Sequence, residues 1–209
     1  MKSPLLVCSV AIIFFASNAL CADIAGRITS ATGDAVCRRP GIAVLRTLKS
    51  GDDVQVADLL ETGKNGKIQV LLSAGAIITV MPGSALRFSQ YSFDRDKSRM
   101  SAVASLKQGT ARFILYKELK GGSSLTIETD QALIQTSRAD LAVVASGQRT
   151  ELFTLAGSVG VRNVSNLVVG NVRAGENQSV IVQAKTPPTS PSVIPLLQRR
   201  KFNKDARQF

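Results

Sequence analysis

The chain contains no histidine. That removes the usual general base at neutral pH, the Ser-His-Asp triad and the commonest metal ligand. It has no tryptophan either, and aromatic residues make up only 5% of its 209 positions. A core must therefore come from Val, Leu, Ile and Ala, which suits closely stacked strands. The few aromatics are not interleaved with basic residues, so a base-stacking platform is missing and nucleic acid is not an expected partner. Cysteine is equally scarce. Cys8 and Cys21 fall within the first 22 residues, leaving Cys37, and one thiol cannot build a disulfide framework. Cys37 reads as a buried, inert thiol, with pairing between chains as the alternative in an oxidising compartment. No glycine-rich loop runs into a Lys-Ser/Thr helix start, so a phosphate cradle is excluded and no cofactor is expected. Beyond the amino terminus, no stretch approaches the roughly 20 apolar residues a membrane helix needs.

What is present begins with a targeting segment. Lys2 supplies a positive start, Leu5 to Phe15 is nearly all apolar, and Ala16 to Ala22 is rich in small residues. Residues 1–22 therefore read as a secretory signal peptide, cut after Ala19, Cys21 or Ala22, which places the mature chain in the periplasm or outside the cell. Leu20 argues against lipid attachment at Cys21, because that chemistry prefers a small residue there.

From Gly51 to Tyr91 apolar and polar residues alternate: Val54 and Val56, Ile68, Val70 and Leu72, Ala76, Ile78 and Val80, Leu86 and Phe88. Period two means strands with one apolar face. Gly51-Asp52, Gly63-Lys64-Asn65-Gly66, Ser73-Ala74-Gly75 and Pro82-Gly83-Ser84 supply the reversals between them. Further runs at Met100–Leu106, Gly109–Tyr116, Thr126–Thr129, Ala132–Thr136, Leu141–Val144, Glu151–Leu155, Ser158–Arg162, Leu167–Val172 and Ser179–Gln183 continue the pattern. Ala43-Val44-Leu45 reads as a partner strand for the Gly51 unit. Turn signals every eight to twelve residues or so predict one all-β domain over 23–183, solenoid-like or sandwich-like, without helix.

These residues also carry a resemblance. Gly51-Asp52-x-Val54-x-Val56-x-Asp58-x-Leu60-x-Thr62-Gly63, then Gly66-Lys67-Ile68-x-Val70-x-Leu72, then Pro82-Gly83-Ser84-x-Leu86-Arg87-Phe88 resemble the FecR domain. Leu106 to Phe113, Leu155 to Val161 and Arg173 to Glu176 extend it in the same order. Ala57 stands where the family commonly has Gly, Ala74 where it has Asp, and Ala139-Asp140 where it has Gly-Thr. The resemblance implies an all-β, twisted, solenoid-like fold. In its best-known form it implies a signal relay: a cytoplasmic segment binds a sigma factor, one membrane span follows, and the FecR domain faces the periplasm. Here a cleavable signal stands where that segment and span would be, leaving the ligand-side or receptor-side half of the role.

Charge is uneven. Residues 23–184 hold nineteen basic and fourteen acidic side chains, and residues 185–209 hold six and one. Three prolines fall within Thr186–Ser192, so 184–209 reads as a Pro-rich linker and a basic, disordered tail. Its Arg199, Arg200, Lys201, Lys204 and Arg207 are candidate contacts for an anionic membrane surface or envelope polymer. Once it is separated from the tail, the edge at Ser179–Gln183 offers unpaired backbone to a partner strand. The acidic pairs Asp52-Asp53 and Asp58/Glu61 are the places to look for two-carboxylate chemistry, and Asp94/Asp96 for a cation, although flanking Arg95 and Lys97 make the latter a solvated turn. The expected function is thus non-enzymatic: an exported envelope interaction or signalling module with an envelope protein or polymer as partner. The alternatives are a binding module for envelope carbohydrate or anionic polymer and, last, an envelope hydrolase.

Overall fold

In the computed structural model, residues 23–115 and 122–206 are described, with the side chains of 203–206 excepted. The expected signal peptide and Arg207 lie outside them. The fold is all-β: the described residues form seventeen strands and one helix, α1 (Leu196–Ala206).

The strands form two layers that share one member. The first layer runs β4 (Asp53–Gln55), β1 (Ile24–Thr32), β6 (Lys67–Leu72), β7 (Ile77–Val80), β9 (Arg99–Ile114), β12 (Ala139–Ser146), β13 (Arg149–Gly157), β16 (Gln178–Gln183) and β17 (Ser192–Val193). The second runs β3 (Arg46–Thr47), β2 (Ala35–Arg38), β5 (Leu59–Thr62), β8 (Ala85–Asp94), β9 again, β10 (Ser124–Glu128), β11 (Ala132–Thr136), β14 (Val159–Asn163) and β15 (Asn171–Ala174). After β5 the chain places β6–β7 in the first layer, β8–β9 and β10–β11 in the second, β12–β13 in the first and β14–β15 in the second. All ladders are antiparallel except β9–β10.

Met100–Leu106 and Gly109–Tyr116 read from sequence as two paired strands. They are one strand that changes layer: residues 99–108 pair with β8, and 109–114 with β12. The crossing falls at Gly109, whose φ of 86° is left-handed. A Cβ there would lie 2.5 Å from the Cα of Ser84, so only glycine allows the layers to meet this closely. Ser84 fixes the junction by accepting from Thr110 N and donating to Thr110 O.

The core fills the space between the layers. Ile68, Val70, Leu72, Ile78, Val80, Phe113, Leu141, Val143 and Leu152 come from the first, and Leu60, Leu86, Phe88, Met100, Leu106, Leu125, Ile127 and Ile134 from the second. Period-two alternation is clean in β6 and β10, which have one wet face. It is lost in β12, where Leu141 to Val143 are all buried.

That loss leads to the main correction. Residues 184–206, read from sequence as part of a disordered tail, are ordered. Thr189 N donates to Ile181 O, Thr189 Oγ1 accepts from Ile181 N, and β17 pairs with Gln178 and Ser179. The edge read as open at Ser179–Gln183 is therefore covered. Pro187, Pro188 and Pro191 carry no N–H, so the covering segment is a poor template for a further strand, a usual defence of sheet edges. The chain then crosses the outer face of the first layer, where Ile194 and Phe202 bury Ala142 and Phe153 in a second, smaller cluster. The Phe153 and Phe202 rings are 5.2 Å apart and tilted, a favoured aromatic arrangement.

Two shorter runs also differ. Ala43-Val44-Leu45 is exposed loop before β3, and Leu167–Val172 is mostly the β14–β15 connection, with strand beginning at Asn171.

Candidate interaction surfaces

The first polar constellation lies where the FecR-like turn begins. Asp58 is wholly buried and accepts from Arg39 Nε and a terminal guanidinium nitrogen, each at 2.8 Å, and from Gln55 N at 3.0 Å. Burial alone would push its carboxyl up, but the guanidinium and the Gln55 N–H hold it below the ordinary range. Cys37 beside it is buried and unbridged, and its thiol is pushed up by burial and then by the Asp58 charge. A thiol so disposed is a poor nucleophile. Ala57, just before Asp58, has φ 71°, so the structure shows why glycine is common at that position.

The second constellation sits under the carboxyl-terminal segment. Arg112, only 6% exposed, donates to both oxygens of Asp140 at 2.8 and 2.6 Å and to the Phe202 carbonyl at 2.7 Å. Asp140 occupies the place of the missing Gly-Thr. The departure from the family pattern is thus the carboxylate that aims Arg112 at this chain's own tail. The two partners lie 28 and 90 residues from Arg112, a separation that leaves no pattern in the sequence.

Four further carboxylates are held in ion pairs. Asp53 pairs with Arg27, Asp52 with Arg46, Glu61 with Arg38 and Glu151 with Arg149. The acidic pairs noted in the sequence therefore face separate cations and do not face each other. Asp94 accepts from Lys97 N and pairs with its ammonium in a solvated turn. Among the described residues no three metal-ligating side chains gather.

Of the basic tail, Arg199, Arg200 and Lys201 are exposed on α1, and Arg199 donates to Asn177 Oδ1. Lys204 lies in the same helix, and Arg207 beyond the described residues. A groove of about 570 Å³ separates α1 from the first layer, lined by Met81, Pro82, Val144, Phe153, Lys201 and Phe202. The open edge strands β3, β4, β15 and β17 are two to four residues long. Among the described residues no helix is long and apolar enough to cross a membrane.

Two layers sharing a strand define an all-β fold in which Asp52, Asp53, Asp58, Glu61 and Asp140 are held in ion pairs. Residues 58–160 match the family model described as FecR protein, so the chain carries a FecR domain over those residues. Two crystal structures of a candidate anti-sigma factor from Parabacteroides distasonis ATCC 8503 share the fold. One superposes with a TM-score of 0.54 at 17% identity, the other with 0.55 at 15%. Each match covers 69% of this chain and 64% or 63% of the other, so the chain spans under two thirds of those proteins' length. No curated protein matches it.

Proposed function

We propose that this chain is a non-catalytic interaction module of the cell envelope, exported by residues 1–22 and acting in FecR-type signalling by binding an envelope protein. The observation that carries the reading is the FecR domain itself, built with Asp52, Asp53, Asp58, Glu61 and Asp140 each committed to a cation. General acid–base work on a polymer needs carboxyls free to face a substrate. Because the open edges are short, the partner meets side chains and loops and not a long added strand.

The test is cross-linking of the exported protein in intact envelope, paired with incubation of the purified protein with isolated envelope polymer. One protein captured at stoichiometric yield and no polymer product is the expected result. Polymer cleavage abolished by Asp58→Asn or Asp140→Asn would overturn the reading.

A second reading rests on Arg199, Arg200 and Lys201. Their exposure on α1 supports a screened contact with an anionic surface or polymer. Neutralising the three should then weaken retention on anionic polymer at low salt and leave it unchanged at high salt.

A further inference from the structure

The β14–β15 connection turns its apolar residues outward. Leu167 is 94% exposed, Val169 88% and Val164 40%. Scattered exposed apolar residues are ordinary on protein surfaces, but three within six positions at one hairpin tip are a local cluster.

The tip is held in shape from within. Ser165 N donates to Asn163 Oδ1, Leu167 N to Ser165 Oγ, and Val168 N to Ser165 O. Asn163, buried, also ties it to the start of the carboxyl-terminal segment by donating to the carbonyls of Gln183 and Thr186. Leu167 and Val169 are thus displayed by a braced loop.

The charge on the hairpin itself has one sign. Between Glu151 and Glu176 the only charged residues are Arg162 and Arg173, both exposed, and exposed Lys185 lies in the segment that Asn163 holds. Of the acids at this end of the layers, Asp130 and Glu151 are paired with Lys107 and Arg149, and Glu128 lies one strand away from Arg162, across Leu133.

We infer that the 164–170 tip docks on anionic phospholipid, with Leu167 and Val169 entering the interfacial region of the bilayer and Arg162, Arg173 and Lys185 meeting the headgroups. Apolar side chains flanked by cations are the recognition chemistry of an interfacial anchor. A specific protein interface needs about 800 Å² per partner with complementary shape, which two protruding side chains do not supply, whereas a bilayer has no shape to match. This surface is distinct from the α1 cations: Asn163 is next to Gln183, whereas Arg199 is next to Asn177, at the other end of β16.

The chain has no tryptophan, so Leu167→Trp creates a unique reporter. The protein, its amino terminus sequenced after purification, is mixed with vesicles of phosphatidylglycerol and phosphatidylcholine, or of phosphatidylcholine alone. The emission should shift to the blue with the anionic vesicles and much less with the zwitterionic ones. In co-sedimentation, Leu167→Asp with Val169→Asp should lower anionic-vesicle binding about tenfold or more. Arg162→Gln and Arg173→Gln should each lower it roughly fivefold at low salt. Unshifted emission, equal binding by the double Asp variant, or a tip variant that instead loses a protein partner or a dimer with vesicle binding intact, would overturn the inference.

Discussion

The carboxyl-terminal segment and the β14–β15 tip are made of similar material and end in opposite places. Both carry Val, Leu or Ile with arginine nearby and no alternating pattern. In the first, Ile194 and Phe202 are buried against Ala142 and Phe153, and Arg112 reaches out from the sheet to hold the backbone. In the second, Leu167 and Val169 stand in solvent, and the polar groups below them brace the loop. The difference is made by what lies beneath. An apolar strand face without cover takes in the tail, while the hairpin tip lies beyond the layers and has nothing to pack on. Apolar content alone decides neither outcome.

The sharpest way to break this comparison is to remove the tail. Truncation after Ala184 uncovers the β16 edge and the Phe153 cluster. It should lower the melting temperature by about 10 °C or more, given a few kcal/mol lost with the buried aromatic. An unchanged melt would return the segment to the status of a linker.

Next in size is a reference inside the body. Asp58→Asn should cost about 3 kcal/mol at pH 6, because it leaves Arg39 facing a neutral group in a buried site. Asp58 is held below its ordinary value of 3.8 when folded, so its contribution is fully present above that value and disappears as pH falls through the folded one. The gap between parent and variant in urea unfolding should therefore close as the pH is lowered below about 4. A constant gap would mean the loss came from packing alone.

Asp140→Asn should cost about 2 kcal/mol, less than a fully buried pair since the Asp140 side chain is 20% exposed, and it should loosen α1. Faster amide exchange confined to 194–202 is the specific readout. Ala57→Gly should stabilise by about 0.5–1 kcal/mol in the same urea experiment, by relieving the left-handed backbone. Smallest of all, the double Asp variant at Leu167 and Val169 should change stability by less than about 0.5 kcal/mol, as exposed substitutions do. A large loss there would mean the tip is packed, and would erase the contrast with the tail.

Much of the fold was legible because alternation and turn glycines are local. The hairpins β6–β7, β10–β11 and β12–β13 stand where Ile68 to Val80, Thr126 to Thr136 and Leu141 to Leu155 place them. Which layer each hairpin joins was not legible, since both layers bury alternate residues and present the same pattern. Gly109 looks like a turn in sequence because an isolated glycine between apolar runs usually is one; here it carries a strand across. Leu167–Val172 has the composition of a strand, but Asn163 and Ser165 capture the next amides and bend the chain. The tail was misread because Ile194 and Phe202, eight positions apart amid prolines and arginines, have no period. Of the site, the acids were visible and their partners were not, since Arg39 and Arg112 reach theirs across 19 and 28 positions.

The strand that belongs to both layers has a mechanical consequence. Its sixteen residues bond to β8 and β10 at one end and to β7 and β12 at the other. Neither layer can peel away without breaking ladders that also anchor its neighbour. Force applied between Asp23 and the helix should therefore meet one dominant rupture event, with the β9 amides the slowest to exchange beforehand. Cutting the gene at Gly109, where that strand changes layer, should give two insoluble fragments, which regain structure only when both are present.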